Sequence, residues 1–487
     1  MFQTLELKAF LELAKTYKRI SVYREFPSDR LTPIQAFEAL GDETKNGTIL
    51  ESALFDQKKG RFSHIFIDPS SEYCVTEIDE PGCGGDEKFN ELRKLLFENR
   101  CHVAHSEPHL LGGAVGFITY DAVRFFEMIP DSHKNEMNIP EMFFRFYNSV
   151  ITFDHQAGKV TASTIAIVKN SPEEAYQKAD AKLNKLLLKI ASFQIGNSPL
   201  FRQNYDKSKL HETRTNIDDN AFKVMVEKAK EYIHKGDAFQ IVLSRQFYKK
   251  YLVSPFQIYR ALRMSNPSPY MFFIEHNNTF IAGSSPERLA SVKNRIVETH
   301  PIAGTRKRGA TAHDDRVIAE DLLNDKKEVA EHVMLVDLAR NDIGSVSVPG
   351  TVQIKKFKDI QHLTKVMHIT SVVEGELSAN KDALDGLRAV FPAGTLSGAP
   401  KIRAMEIIDK LEPSRRGLYG GAVCFVDNDG NLESCIAIRM AIMKDNIATV
   451  QAGCGIVFDS DPASETEETR SKASAVLNGI DLAEGGL

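Results

Sequence analysis

The stretch ASETEETRSKA, residues 463–473, sets three glutamates, two cations and four hydroxyl residues on what reads as the start of a long helix. On a wheel of about 100° per residue, Glu465, Glu468 and Lys472 fall on one side at i, i+3 and i+7, and Val476 and Ile480 continue that side. Glu467, Ser471, Ser474 and Asn478 lie opposite. The first set therefore shares the apolar, inward stripe. Ser464 with Glu467 three residues on fits a capping box that would begin the helix there. Burying two carboxylates and an ammonium is expensive unless a cation or charged ligand compensates them, and a buried ion-pair network is the plain alternative.

A second stretch repeats the arrangement. DLLNDKKEVAEHVMLVDLARNDIG, residues 321–344, reads as one helix in which Glu328 and Glu331 are again i, i+3 and their face runs on into Leu335, Leu338 and Ala339. Its VMLV segment is apolar nearly all round, which predicts a buried helix. Two glutamate pairs on inward helix faces predict a hard, all-oxygen site of the kind that selects magnesium, manganese or calcium. His332 does not turn Glu328–His332 into a di-iron or zinc motif, because the spacing is wrong.

The rest of the chain bounds the function. At 487 residues, with 42% hydrophobic and 26% charged residues, it reads as a globular protein with a substantial core. A net charge of −5 offers no broad basic face for nucleic acid or anionic membrane. Neither a signal-type leader nor a membrane-length apolar run is present, which predicts a cytoplasmic location. Six cysteines without a Cys-x-x-Cys pair suggest neither zinc nor a disulfide framework.

Thr32-Pro33 followed by IQAFEAL reads as a capped helix, and RFSHIFID, LLGGAVGFITYD, FFRFYNSVITFD and GKVTASTIAIV read as strands between polar turns. A charged helix over 173–192 precedes a polar, turn-rich stretch over 193–216, taken as a linker. Beyond it come the helix DDNAFKVMVEKAKEYIHKG, the strand AFQIVLSRQF, and strands at 270–274, 279–282, 420–426, 434–443 and 448–457. The pattern is α+β, with an N-terminal region over 1–195 and a C-terminal region over 215–485.

These residues, with GSSPERL (283–289), PIAGTRKRG (301–309), FPAGTLSGAPKIRAMEIID (391–409), LYGGAV (418–423), CIAIRM (435–440) and AGCGIV (452–457), resemble the chorismate-utilising enzymes, and among them the large subunits of anthranilate synthase. The resemblance covers nearly the whole chain. It implies two antiparallel sheets packed face to face with helices outside, and one Mg2+ ion bound with chorismate. Carried over by motif, Glu331 and Glu468 would ligate the metal, with Glu328 and Glu465 holding its waters or supporting it. Lys472 would sit near the ring carboxylate. Arg439, Tyr419 and the amides around Gly453 and Gly455 would take the enolpyruvyl carboxylate, and Thr395 and the turn Ala303, Gly304, Thr305 would contact the ring.

The resemblance also narrows the reaction. Relatives that add water carry a lysine base where this chain has Gln240, and an amide cannot deprotonate water, so an already reactive nucleophile such as ammonia is implied. Relatives that make aminodeoxychorismate carry a covalent lysine where this chain has Ala303. Ammonia would then attack C2 directly, Glu287 would protonate the departing hydroxyl, and His368 over the ring would assist loss of pyruvate, giving anthranilate. No glutaminase nucleophile is found, since Cys454 lacks an elbow and a His partner, so a separate glutamine amidotransferase subunit is implied, in the family's usual heterotetramer.

LESA (50–53) and NPSPYMFF (266–273) resemble the segments that bind inhibitory L-tryptophan, with Glu51 and Ser52 at its amino group and Pro269, Tyr270 and Met271 lining the site. A chain that starts tryptophan synthesis would gain from having no tryptophan of its own, as here, with composition drift the plain alternative. The competing readings are an aminodeoxychorismate synthase, an enzyme that stops at the amino-deoxyisochorismate intermediate, and a silent tryptophan-sensing protein.

Overall fold

The computed structural model describes residues 3–52, 60–78, 80–104, 110–193, 211–362 and 366–486. The chain runs through α1 (Leu7–Ala14), β1 (Arg19–Pro27), α2 (Pro33–Leu40), β2 (Thr48–Glu51), β3 (Phe62–Val75), α3 (Gly85–Asn99), β4 (Ala114–Ile118), β5 (Met142–Asp154), β6 (Lys159–Ile167) and α4 (Pro172–Ser192). Next come β7 (Thr213–Thr215), α5 (Asp219–His234), β8 (Gln240–Lys250), α6 (Pro255–Ser265), β9 (Tyr270–His276), β10 (Thr279–Ser285), β11 (Arg288–Lys293), β12 (Ile296–Thr299), β13 (Ile302–Lys307), α7 (Ala312–Asn324) and α8 (Lys326–Gly344). It closes with β14 (Gln353–His362), β15 (Val366–Glu376), α9 (Ala383–Val390), β16 (Gly398–Ala399), α10 (Lys401–Leu411), β17 (Ala422–Val426), β18 (Leu432–Ile436), β19 (Met440–Lys444), β20 (Ile447–Ile456) and α11 (Pro462–Gly485).

All pairings between these strands are antiparallel, and β5 is their branch point. Its first half pairs β4, its second half pairs β6, and β3 runs along both halves on the other edge. From β3 one arm passes through β2, β9, β10, β19 and β20 to β8. From β4 the other passes through β17, β18, β11 and β12 to β15, with β13 and β14 alongside.

The two arms pack face to face, and strand alternation shows it. Phe272, Ile274, Ile281, Met440 and Ile442 of the first arm share a buried cluster with Phe117, Val423 and Leu432 of the second. Their neighbours Met271, Phe273, Ala282, Ala441 and Met443 face the other way, into a cluster with Phe37 of α2, Leu262 of α6 and Val476 and Ile480 of α11. The expected pair of packed sheets with outer helices is therefore present, joined into one hydrogen-bonded system through β3 and β5.

Local signals explain many boundaries. Thr32 and Gln35 form a reciprocal capping box with Pro33 in the first turn of α2, and α5 begins on Asp218 and ends before Gly236, whose φ is +82°. Four expectations need correction. The helix of residues 463–473 starts earlier, because Asp461 is its cap, accepting from the Ser464 amide, while Glu467 is exposed beside Arg470 at 3.3 Å. The predicted helix over 321–344 is two: Asp325 accepts from the amides of Lys327 and Glu328 and starts α8 afresh after α7. α8 is also buried on one side only, since Val333 is 42% exposed. The run 434–443 breaks into β18 and β19 around Arg439, whose left-handed backbone, φ +53°, interrupts the extended conformation. Of the predicted linker, residues 194–210 lie outside the described residues, as does Ala53; β7 occupies part of the remainder.

Candidate active site

The two glutamate-bearing helices come near each other at the start of β8. Gln240 opens that strand and donates from Nε2 to Glu331 Oε1 of α8 at 2.9 Å. Burial raises the Glu331 carboxyl pKa, with the charges of Glu328 and of Glu468 from α11 adding to the effect. The two pairs found by helical spacing thus lie within each other's field. On α11, Lys472 pairs with Glu468 at 2.7 Å and donates to the Gly453 carbonyl at 3.0 Å. Burial also raises Glu465, one of whose oxygens is buried without a hydrogen-bond partner.

β20 needs its glycines for close approach. A Cβ at Gly455 would stand 2.6 Å from Gln240 Nε2, and one at Gly453 would stand 2.5 Å from the Leu243 carbonyl and 2.8 Å from the Tyr419 hydroxyl. Arg439 donates from Nη1 to the Lys472 carbonyl at 2.7 Å, so its left-handed backbone turns the guanidinium toward α11. Arg439, Tyr419, Gly453 and Lys472 form one positively biased corner.

The opposite wall carries Glu287 and His368. Glu287 follows β10 in the Ser-Pro-Glu turn, and Thr395 donates to its Oε1 at 2.9 Å. Burial pushes the Glu287 carboxyl pKa up to about 7, against the lowering pull of Thr395 and the Lys472 ammonium. A carboxylic acid with that pKa holds a transferable proton near neutrality. The concavity in front of it is lined by Leu335, Leu338 and Ala339 of α8 and by Gly394 and Thr395. His368 of β15 lies 3.1 Å from the Gly304 carbonyl and 3.0 Å from Thr305 Oγ1, and desolvation holds its pKa below the usual imidazole value. Ala303 is buried between them and the β15 ladder.

Contacts and mutual charges link Glu287, Thr395, Lys472, Glu468, Glu331, Gln240, Arg439 and His368 into one neighbourhood, although of these residues only Glu287 and Thr395 line the concavity in front of Glu287. Among the described residues, however, no group of three His, Cys, Asp or Glu side chains is gathered tightly enough to hold an ion as it stands. Glu331 is held by Gln240, Glu328 by Arg306 at 2.9 Å, and Glu468 by Lys472. The donor set remains four carboxylates with an orphaned buried oxygen on Glu465, which suits a hard divalent cation.

The five residues expected at a tryptophan site separate by strand face. β2 pairs β9 so that Glu51 is opposite Met271, on the α6 side. Glu51 is buried, accepting from Tyr259 at 2.6 Å and from Arg263 at 3.1 Å. Tyr270 projects to the other face, where its hydroxyl donates to Glu433 at 2.7 Å and accepts from Arg288 at 2.9 Å. Pro269 is buried between the two, and Ser52 is half-buried at the end of β2. Sequence reasoning missed Tyr259, Arg263, Arg288 and Arg306. Arg288 and Arg306 stand inside quoted motifs, but a lone arginine in a strand gives no sign of which carboxylates fold up to it.

This architecture and cleft match known proteins. The model of the chorismate binding enzyme family matches residues 50–478, and the chain belongs to that family. Its relatives include anthranilate synthase component 1 of Aquifex aeolicus, 41% identical over 490 residues covering 99% of this chain and 98% of that protein. The Acetivibrio thermocellus protein of the same name is 42% identical over 97% of both chains. A solved anthranilate synthase component I from Streptococcus pneumoniae superposes with a TM-score of 0.74 at 35% identity, covering 93% of this chain and 99% of that one. The menaquinone-specific isochorismate synthase of Escherichia coli shares the fold, with a TM-score of 0.73 at 19% identity over 98% of this chain and 99% of that one.

Proposed function

We propose that this chain is the chorismate-binding component of an anthranilate synthase, acting in the cytoplasm and converting chorismate and ammonia to anthranilate and pyruvate. The observation that carries the reading is the pairing of Glu287, a half-buried acid with a pKa of about 7 held by Thr395, with Gln240, an amide where a water-activating base would stand. Arg439 and the β20 amides bind the enolpyruvyl carboxylate, and Lys472 faces the ring carboxylate. Ammonia adds at C2. Glu287 gives its proton to the C4 hydroxyl, which leaves as water, and the ammonium formed loses a proton to solvent. In the second step, assisted by His368 over the ring beside Thr305, the C2 hydrogen is lost as a proton, the C3–O bond breaks, and the enolpyruvyl group leaves as pyruvate with a proton gained at its methylene carbon. Glu331 and Glu468, backed by Glu328 and Glu465, would hold Mg2+, which when bound neutralises the ring carboxylate.

A glutamine amidotransferase subunit supplies the ammonia in a heterotetramer. Among the described residues no helix is long and apolar enough to cross a membrane. With purified chain, chorismate, a magnesium salt and an ammonium salt, anthranilate fluorescence is expected without the partner. A non-fluorescent amino product, or no consumption of chorismate, would overturn the reading.

The N-terminal region over 1–195 contributes the tryptophan site, with Glu51 and Ser52 at the ligand's ammonium. The protein contains no tryptophan, so bound ligand is visible by its own fluorescence. Glu51→Gln is expected to weaken tryptophan binding about 10- to 100-fold, as losing a charged hydrogen-bond acceptor does. Unchanged titration curves would remove Glu51 from the site.

A further inference from the structure

Arg416 stands in the loop between α10 and β17 and is 1% exposed. Its Nη1 donates to the Leu396 carbonyl at 2.5 Å and its Nη2 to the Val242 carbonyl at 2.6 Å. Nε and Nη2 also grip the two oxygens of Glu412, at 2.9 and 2.6 Å, and Glu412 Oε1 accepts in turn from the Ser244 amide at 2.7 Å. The Tyr120 ring lies under the guanidinium, with 4.5 Å from its centroid to Cζ. None of these groups takes part in the reaction proposed above.

The two carbonyls lead to the two groups on which that reading rests. Leu396 follows Thr395, whose hydroxyl donates to Glu287 Oε1 at 2.9 Å, and Val242 lies two residues beyond Gln240 in β8. The turn over Gly394–Leu396 is closed on itself, since the amides of Leu396 and Ser397 and the Ser397 hydroxyl all donate to the Ala393 carbonyl. Its far end is anchored by the Val242 amide, which donates to the Ser397 carbonyl at 3.0 Å, and by the pairing of Gly398 and Ala399 with β8. At the Thr395 end, among the described residues, the hydrogen bond that ties the turn to a neighbouring element besides Thr395 to Glu287 is the one from Arg416.

We propose that Arg416 is a positioning residue for the reaction: by bridging the Leu396 and Val242 carbonyls it holds Thr395 against Glu287 and sets the place of that acid relative to Gln240. The inference rests on the assignment of Glu287 as the general acid. A planar guanidinium spans two carbonyls and a carboxylate at once, whereas lysine brings the same charge on a single nitrogen and cannot cover all three.

The test measures the rate divided by free ammonia against pH, on the full chain with an ammonium salt. The Thr395 hydroxyl lowers the Glu287 pKa, so Thr395→Val should move the midpoint of the decline up by about half a pH unit to one unit. Arg416→Lys should move it the same way by a similar amount and lower kcat about tenfold or more. The double variant should shift no further than the larger single shift, because both changes act through one hydroxyl. The charged groups facing Glu287 are Lys472 of α11, the adjacent Arg288, and His300 and Asp342 around the concavity, and all are kept in these variants. A purely structural role would lower Tm and leave the midpoint in place. Additive shifts, or a midpoint in Arg416→Lys that is unmoved or lowered, would overturn the proposal. Should Arg416→Lys not fold, Glu412→Gln loosens the other side of the same fork and must raise the midpoint too, and an unmoved midpoint there is equally fatal. A decline that persists in Glu287→Gln would instead strike the acid assignment, and the proposal with it.

Discussion

Glu287→Gln is expected to lower kcat with ammonia about 10²- to 10⁴-fold, the range for loss of a positioned general acid, with chorismate binding little changed. The amide keeps the size of the side chain and can still meet Thr395, but it has no proton to give to the leaving hydroxyl. The pH profile carries the signature. Because burial lifts the carboxyl to about 7, the acid form prevails below that pH and falls about tenfold per unit above it. Free ammonia rises about tenfold per unit over the same interval, below its own pKa. The observed rate with an ammonium salt should therefore climb and then flatten, while the rate divided by free ammonia should decline above pH 7. The same shift acts on folding: between 4.5 and 7 the native carboxyl holds a proton that the unfolded chain has released, so its contribution to stability falls as pH rises through that window. In the glutamine variant both dependences should vanish, and a residual rate with the wild-type profile would place the acid elsewhere.

Glu468→Ala is expected to abolish magnesium-dependent turnover, a loss of about 10³-fold or more, whereas Glu467→Ala should cost only about 0.3–0.5 kcal/mol of stability through its pair with Arg470. The two residues are adjacent and both open to solvent, at 46% and 72% side-chain exposure, so accessibility does not separate them. Their neighbours do. Glu468 lies in the field of Glu331 and pairs with Lys472, whereas Glu467 meets only the outward Arg470. Magnesium titration of the rate, with thermal melts of both variants, distinguishes the two effects, and equal losses would remove the distinction between the helix faces.

Much of the cleft was legible because helical spacing is a local property. The side shared by Glu465, Glu468, Lys472, Val476 and Ile480 needs only a wheel, but its burial is not uniform: Val476 and Ile480 are fully buried, whereas Glu468 is open to solvent and the buried stripe at the start of α11 runs through Thr466, Thr469 and Ala473. Chorismate, ammonia and the roles of Glu287 and His368 came from motif resemblance, since no periodicity identifies an acid or a ring contact. What was not legible depends on distant partners. Asp325 caps α8 because it is held in an extended conformation between two helices, and the helix-favouring residues Lys326, Lys327 and Glu328 that follow it concealed the break. Arg439 sits inside an apparently continuous apolar run, where a left-handed residue leaves no compositional mark. Tyr270 and Met271 are neighbours in sequence but face opposite sides of β9, a division set by register with β2.

The long strands β3 and β5 have a consequence for how the molecule holds together. Residues before 195 supply the neighbours that β9 and β17 need, through β2 and β4, and the later residues return the favour. Cutting the chain between 195 and 215 would make a split protein whose halves each expose an unsatisfied strand edge, rather than two domains. The stretch around Glu51 and the cleft around Glu287 are thus built from a single cooperative sheet, and neither can be grafted elsewhere without the other's strands.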